Sequence, residues 1–250
     1  MRLLAFIIAV ALAGCSNPPL SPADSVSAAP MPEPACPSAQ TAAQAVPQPG
    51  PVPLPVREGF EASRDGDRPK DWAALDGRWG AAANPSAPQG LRVMRGEGDA
   101  DPGFSMLLAT PGGDLSDLVA QVSFRMDCIE HPHGVGLVLH VADAGNYQIV
   151  RYTATESSWD FFTVKDGVRE RWPDAIVLPG TDPAANAWTT LRVTSEAGRI
   201  EAFDGPTKVL AYDLPPGHAT AGQAGLFLRG TSSALFDDFR LDDAPADLPA

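Results

Sequence analysis

The feature that most constrains the fold is a series of short, strand-like segments that fills residues 142–241. The last segment alternates with a period of two, and one of its sides carries Leu235, Asp237, Phe239 and Leu241. Because that side is mostly apolar, the pattern indicates a strand with one buried face. No stretch after residue 57 holds a helical apolar stripe over three turns.

Turn signals separate these segments. They lie at 143–146, at Asp166-Gly167 and at 196–198, and an Asp-Gly pair suits a tight hairpin. Farther upstream, residues 134–141 are apolar on both sides, as in a central strand covered on each face. About a dozen short strands at regular spacing predict an all-β fold, a two-sheet antiparallel sandwich of the jelly-roll type.

The start of the chain has the pattern of a secretory signal. Residues 1–14 carry one basic residue and an apolar run that is too short to span a bilayer. Leu12-Ala-Gly-Cys15 resembles the bacterial lipobox, which implies cleavage before Cys15 and lipidation of that residue. The alternative is an ordinary signal peptide with a chance cysteine. Because Ser16 follows the cysteine, the lipoprotein sorting rule favours a membrane-anchored protein of the outer membrane that faces the periplasm.

The segment after the signal has the composition of a tether. Residues 16–56 contain twelve prolines, and their only charged residues are Asp24 and Glu33. We expect residues 15–56 to form a lipid-anchored, disordered linker with polyproline character. Residues 57–243 are long enough for one sandwich domain, and 244–250 are expected to form a flexible tail.

Charge and cysteine content limit the partners. The chain has a formal charge of −13 and no cluster of basic residues, so nucleic acid is excluded as a partner. Cys36 and Cys128 could pair in an oxidising periplasm. Because Cys36 lies in the tether, we favour a buried, unpaired Cys128.

A series of motifs covers nearly all of residues 57–243. These motifs are Phe60-Glu61, Trp72, Gly77-x-Trp79, Asn146-Tyr-x-x-x-Arg151, Lys165-Asp-Gly167, Trp188-x-x-Leu-x-Val193, Gly225-Leu-x-x-x-Gly230 and Phe236-Asp-Asp-Phe239. In their order the chain resembles the concanavalin A-like lectin/glucanase superfamily, and within it laminin G-like domains and bacterial 3-keto-disaccharide hydrolase domains. The resemblance implies the sandwich architecture and carries no catalytic signature.

Acidic residues do not form the pattern of a retaining glucanase. That chemistry needs two carboxylates that flank the scissile bond, and in this fold they come from a Glu-x-Asp-x-Glu run on one strand. No such run is present. Glu156 and Asp160 flank an expected turn, so we predict that both are solvated.

Histidines and carboxylates offer two possible metal sites. His131, His133 and His140 lack the convergence of a transition-metal site, and a turn with exposed imidazoles is favoured. In sandwiches of this shape the first and last strands often meet at one edge. Glu61 and Asp238, the second residue of the Asp237-Asp238 pair, are therefore candidates for a structural calcium. The alternative is that the aspartates cap a strand end.

The candidate carbohydrate-binding residues are aromatic and planar polar side chains on two consecutive strands. Rings stack on pyranose faces, and arginine donates to hydroxyl groups. We expect Tyr147 and Arg151 to share a face with Trp159 and Phe161, or with the opposite side of the second strand if the register shifts. Trp172 is expected nearby, Arg151 should be exposed or paired with a carboxylate, and the alternative role for the rings is core packing.

Three functions agree with these observations. The favoured one is a non-catalytic envelope lipoprotein that binds carbohydrate or an envelope polymer. A hydrolase or lyase that acts on a modified disaccharide is the second, and a structural or protein-interaction lipoprotein is the third. No cofactor other than the possible calcium is expected.

Overall fold

The computed structural model describes residues 54–98, 103–110, 114–126, 134–172, 183 and 186–243. The predicted signal peptide, Cys15, the tether up to residue 53, Cys36, Cys128, His131, His133 and the tail lie outside these residues and stay predictions. No helix among the described residues is long and apolar enough to cross a membrane. The described secondary structure is all β, which confirms the predicted class.

Fifteen strands make up the described fold. In chain order they are β1 (Val56–Glu58), β2 (Trp72–Leu75), β3 (Arg78–Ala83), β4 (Arg92–Glu97), β5 (Phe104–Ala109), β6 (Leu118–Met126), β7 (Gly134–Asp143), β8 (Asn146–Thr153), β9 (Ser158–Lys165), β10 (Val168–Arg171), β11 (Thr189–Glu196), β12 (Arg199–Asp204), β13 (Thr207–Asp213), β14 (Gln223–Arg229) and β15 (Ser233–Asp242).

The strands form two antiparallel sheets that pack as a sandwich. Sheet A has eight strands in the order β13-β12-β11-β6-β15-β4-β3, with β1 also paired to β15. Sheet B has seven strands in the order β10-β9-β8-β7-β14-β5-β2. The two-sheet jelly-roll-type sandwich expected from the strand spacing is therefore confirmed.

Alternating side chains build the core between the sheets. On β6, Val122, Phe124 and Met126 share the buried side, as the period of two predicts. On β7, Val135, Leu137 and Leu139 point to this core, whereas Val138 belongs to a second buried cluster on the opposite side of sheet B. Strand β7 is thus a central strand with buried apolar side chains on both faces, as expected.

The last strand departs from simple alternation. Its register to β6 shifts between Asp237 and Arg240, and Asp238 has a positive φ of 49°. Phe236 and Phe239 therefore both reach the main core, although a period of two places them on opposite sides. The expected shared face of Leu235, Asp237, Phe239 and Leu241 is wrong, because a β-bulge reverses the alternation midway.

The first and last strands meet, as predicted. Val56 pairs with Leu241 and Glu58 with Phe239. Just beyond β1, the fully buried Phe60 ring lies 5.8 Å from Trp72, which in turn lies 4.8 Å from Phe239. These edge-on ring contacts fix the start of the domain against its end.

Two hairpin turns have the backbone that tight hairpins require. Asp166 and Gly167 have φ values of 51° and 78°, and Ala197 and Gly198 have values of 49° and 81°. Consecutive positive φ values define a type I′ turn, whose twist matches that of the flanking strands. The hairpins predicted at 166–167 and 196–198 are confirmed, and the first of them positions β9 and β10.

Sheet B has an apolar face on the side away from sheet A, which we call the outer face. Strand pairing places side chains from β5, β7, β8, β9 and β14 on it. Its buried hydrophobic residues are Leu75, Met106, Leu108, Val138, Val141, Tyr147, Ile149, Phe162, Val164 and Phe227.

Candidate functional site

The pairing of β8 with β9 divides the predicted carbohydrate-binding set. Tyr147 is opposite Val164 and Arg151 is opposite Asp160, and these pairs lie on the outer face. Trp159 is opposite Tyr152, and both rings belong to the core between the sheets. The register is therefore the shifted alternative.

The three other predicted aromatic residues pack against the main core. Trp159 and Phe161 are 2% and 0% exposed, so the expectation that they line a binding face is wrong. Trp172 is half-buried; its Nε1 donates to Thr163 Oγ1 at 2.9 Å, and its ring lies 5.0 Å from Tyr212. Core packing, the alternative role considered for these rings, describes all three.

Arg151 lies at the centre of the remaining group. Its side chain is 4% exposed, and the guanidinium carbon lies 4.4 Å from the centre of the Phe162 ring. Its Nε lies 3.6 Å from Asp160 Oδ2, which forms an ion pair without a hydrogen bond. The expectation that Arg151 is exposed or paired with a carboxylate is confirmed by this pair.

Asp160 is buried and accepts several hydrogen bonds, whereas the sequence predicted a solvated loop residue. Its Oδ2 accepts a hydrogen bond from Thr153 Oγ1 at 2.6 Å. Its Oδ1 accepts from Arg171 Nη2 at 2.5 Å and from Ser158 Oγ at 3.3 Å. The prediction for Asp160 is wrong because the residue lies inside β9 and not in the preceding turn, whereas Glu156 is exposed, as predicted.

The electrostatics around Arg151 are unfavourable to its charge. Burial, together with repulsion from Arg229 and Arg169, lowers the pKa of Arg151 to about 10, and attraction to Asp160 offsets part of this. Two nitrogens of the guanidinium, Nε and Nη1, are buried and have no hydrogen-bond acceptor among the described residues. A buried, unsatisfied donor on a charged group is costly, so this position is poised to bind an acceptor.

Sequence analysis missed four residues that surround Arg151. Phe162 pairs with Ile149 on the outer face, and the Arg169 guanidinium lies 5.3 Å from both the Phe162 and Phe104 rings. Arg229 approaches from β14, where a Cβ on Gly134 would lie 3.0 Å from both Arg151 Cδ and Arg229 Cβ. Phe162 could have been found from the shifted register, and Arg169 from the predicted hairpin at 166–167. Phe104 and Arg229 lie near Arg151 because of long-range sheet order, which the sequence did not reveal.

The predicted calcium site is partly assembled. Glu61 Oε1 accepts hydrogen bonds from the backbone N–H groups of Leu91 and Arg92, at 2.9 and 2.7 Å. Asp238 instead forms a two-point ion pair with Arg240, at 3.0 and 3.1 Å. Asp238 is thus occupied by an arginine, which disfavours it as a metal ligand.

Asp237 takes the place that the sequence analysis gave to Asp238. It is fully buried, and its carboxylate accepts the N–H groups of Gln89 and Asp238 at 2.7 Å each. Burial raises its pKa, with added repulsion from Asp238 and Glu61. A Cβ on Gly59 would lie 2.7 Å from Gln89 Oε1 and 3.7 Å from Asp237 Oδ1, so both oxygens border Gly59.

Calcium at this edge stays a prediction. Within the described ranges no group of three or more His, Cys, Asp and Glu residues is arranged to hold a metal ion. Calcium also accepts amide and backbone carbonyl oxygens, and Glu61, Gln89 and Asp237 would be the side chains that hold it. The donor chemistry fits a structural ion that offsets the buried negative charge.

His140 has a structural position. It is fully buried, and its ring nitrogens contact Gln148 Oε1 at 2.5 Å and the Ser116 carbonyl at 3.0 Å. Burial lowers its pKa, although the bonds to Gln148 and Ser116 act in the opposite direction. The expectation of an exposed imidazole is wrong for His140, because β7 carries it into the sheet.

A polar cavity lies elsewhere, next to β1. Its volume is about 400 Å³, and its lining includes Glu58, Arg64, Arg68, Lys70 and Trp72. None of its lining residues has a buried polar atom without a hydrogen-bond partner. The unsatisfied donors of Arg151 therefore make the outer face of sheet B the stronger candidate site.

Comparison with known proteins identifies the fold. The chain matches no protein family, and no curated protein is similar to it in sequence. Carbohydrate-binding module CBM66 from Bacillus subtilis superposes with a TM-score of 0.54 at 17% identity, over 69% of this chain and 95% of the module. The sandwich fold of this chain is therefore shared with a carbohydrate-binding module.

Two larger proteins contain a similar sandwich. Xylan β-1,4-xylosidase from Bacillus halodurans gives a TM-score of 0.52 at 14% identity, over 79% of this chain. The GH43 protein BlXynB from Bacillus licheniformis gives 0.50 at 12% identity, over 75% of this chain. This chain spans only 41% and 39% of those two proteins, and at such identities the likeness concerns the fold alone.

Proposed function

We propose that this chain is a cell-envelope lipoprotein whose sandwich binds carbohydrate without cleaving it, through the outer face of sheet B. The observation that carries this proposal is Arg151, whose buried Nε and Nη1 groups donate no hydrogen bond to any residue that the structure describes. Saccharides offer acceptor oxygens in a compact ring, and sites that bind them combine a few fixed polar groups with apolar surface. Its place over the Phe162 ring, 4.4 Å from the ring centre, holds the guanidinium in a fixed orientation.

The acidic residues support binding over hydrolysis. Glycoside hydrolysis requires one carboxylic acid and one carboxylate free to act on the scissile bond. Asp160 is committed to Thr153, Ser158 and Arg171, and Glu156 lies 3.2 Å from the same arginine. A carboxylate whose oxygens already contact arginine and hydroxyl groups is not free to deliver a proton to a leaving group. Neither residue therefore suits the acid role.

Shared architecture gives secondary support. The similar fold of CBM66 extends over nearly all of that module, which is a binding protein by its description. The larger proteins carry a similar sandwich as one part of a longer chain. Fold alone does not transfer function, so the proposal depends on the outer face and on its test.

The test is a binding screen with the full-length chain, purified in detergent, against immobilised neutral and acidic polysaccharides. Wild-type protein should bind at least one polymer, and Arg151→Ala and Phe104→Ala should weaken that binding. Arg199→Ala, an exposed arginine of β12 in sheet A, is the control and should bind as the wild type does. Absence of binding to every polymer, or equal binding by all variants, would remove the outer face as the site.

A further inference from the structure

An excess of positive charge is concentrated on the outer face of a strongly acidic protein. The chain has a formal charge of −13. Strand pairing nevertheless places four arginines on this face: Arg151 of β8, Arg169 and Arg171 of β10, and Arg229 of β14. The carboxylates that contact them are Asp160 and Glu156.

Both carboxylates form ion pairs with the same arginine. Arg171, whose side chain is 49% exposed, contacts Asp160 Oδ1 at 2.5 Å and Glu156 Oε2 at 3.2 Å. Arg151 reaches Asp160 only at 3.6 Å, without a hydrogen bond. Arg169 and Arg229 have no ion-pair partner among the residues that the structure describes. Of Arg151, Arg169 and Arg229, only Arg151 therefore has an ion pair among the described residues, and that pair lacks a hydrogen bond.

The three guanidinium groups form one cluster. Arg151 and Arg169 lie over the same Phe162 ring, at 4.4 and 5.3 Å from its centre. Gly134 separates Arg151 from Arg229, and an added Cβ there would touch both side chains at 3.0 Å. The absence of a side chain at Gly134 lets the two arginines approach each other from β8 and β14, the strands on either side of β7.

Such a cluster is costly to the folded protein unless an anion binds. Like charges repel, and burial removes the hydration that would screen them. Planar guanidinium groups held by aromatic rings match the two oxygens of a carboxylate or a sulfate. Two ring-packed arginines, with a third across a glycine, thus provide a preorganised anion site.

We propose that the saccharide bound on the outer face is acidic, with a uronate carboxylate or a sulfate held by Arg151, Arg169 and Arg229. This inference rests on the carbohydrate-binding function proposed above and adds the charge of the ligand. The net negative charge of the rest of the protein would repel a polyanion elsewhere, which confines binding to this face.

The experiment uses matched polymers that differ only in charge. Polygalacturonate, alginate and dextran sulfate are titrated against the full-length chain by calorimetry in EGTA, so that calcium bridges are excluded. The neutral counterparts are methyl-esterified polygalacturonate, carboxyl-reduced alginate and dextran. Poly-L-glutamate is included as an anion without sugar. We expect binding to at least one acidic polysaccharide, and a Kd at least about tenfold weaker for its neutral counterpart.

Variants locate the anion. Arg229→Gln and Arg169→Gln change partly buried residues, and each should weaken Kd about tenfold or more for the acidic polymer. Arg151→Lys keeps the charge but loses the planar guanidinium. Its affinity for the acidic polymer should therefore lie between those of the wild type and Arg151→Gln. Arg199→Gln makes the same charge change on sheet A and should leave Kd unchanged.

The outcomes separate the two proposals. Equal affinity for a neutral polymer and its acidic counterpart would overturn the acidic ligand and keep carbohydrate binding. Equal binding of poly-L-glutamate would overturn it in favour of an acidic protein partner. Failure of every acidic and neutral polysaccharide to bind would overturn the proposed function and this inference together.

Discussion

Asp237 shows how one residue determines the behaviour of a strand edge. It is fully buried, its pKa is raised by burial, and its two backbone hydrogen bonds offset only part of that effect. With Glu61 nearby, the edge holds negative charge that a divalent cation would stabilise.

Calcium should therefore raise the thermal stability of the protein. A ligand that binds only the folded state at 100 times its Kd adds about 2.7 kcal/mol to the free energy of unfolding. We expect a higher melting temperature in CaCl₂ than in EGTA, and no such difference in Asp237→Asn or Glu61→Gln. Asp238→Asn is the matched control and should keep the calcium effect, because Asp238 is bound to Arg240. A calcium effect that persists in Asp237→Asn would contradict this assignment.

His140 should make stability depend on pH. Burial lowers its folded-state pKa below the value of 6.5 expected when unfolded. Between these two values the unfolded chain binds one more proton, so stability is present above pH 6.5 and is lost as the pH falls. The contribution is up to about 1.4 kcal/mol for each pH unit below 6.5.

Urea unfolding at pH 8, 6.5 and 5 measures this effect. Nearby Asp114 and Asp117 favour the protonated imidazole of His140, which reduces the pH dependence of stability in part. His140→Gln should lower stability at pH 8 and flatten the profile between pH 6.5 and 5. His218→Gln, in a partly buried loop position, removes a different histidine and is the matched comparison variant. Parallel profiles for wild type and His140→Gln would contradict the role of His140.

At the scale of elements, close approach of strands on the outer face depends on glycine. A Cβ on Gly136 of β7 would lie 2.0 Å from the Val150 carbonyl oxygen and 2.7 Å from Arg151 Cα. A Cβ on Gly225 of β14 would lie 2.2 Å from the Leu107 oxygen. Both contacts are with backbone, which cannot move aside without a change in strand pairing.

Gly136→Ala should therefore destabilise the sheet by about 1–3 kcal/mol or more, the usual cost of overpacking a tight site. Gly66→Ala is the control, because an added Cβ at Gly66 would have nothing within 4 Å. Its φ is 80°, so any loss of stability in that variant comes from backbone strain alone. Urea midpoints for the two variants measure the difference. A smaller loss for Gly136→Ala than for Gly66→Ala would contradict the close approach of β7 and β8.

At the scale of the whole molecule, the proposed lipid anchoring would depend on Cys15. Lipid chains give lasting membrane attachment, and Leu12-Ala-Gly-Cys15 is the only lipobox-like pattern near the start of the chain. We expect Cys15→Ala to move the protein from the membrane fraction to the soluble fraction. Immunoblots of fractionated cells measure this, with Cys36→Ala as the control. Full retention of Cys15→Ala in the membrane would contradict lipid anchoring.

Local patterns in the sequence determined the fold class. Period-two alternation on β6, apolar content on both faces of β7, and Asp-Gly and Ala-Gly turns act between near neighbours, so the sequence alone predicts them. That the first and last strands meet was expected from the sandwich architecture, in which those two strands often share an edge. Strands of this kind form a two-sheet sandwich, because each sheet must bury its apolar face against another element.

Only the tertiary structure decided which side chains face outward together. Side chains alternate between the two faces of a strand, so a one-residue shift in register exchanges the faces. That shift places Trp159 and Phe161 in the core, and it places Asp160 and Phe162 beside Arg151. The bulge at Asp238 likewise directs both Phe236 and Phe239 into the core. Arg229 meets Arg151 because β14 and β8 both flank β7, and that neighbourhood depends on sheet order between segments far apart in sequence. Local pattern therefore determined the strands of this protein, and long-range pairing energies determined its candidate site.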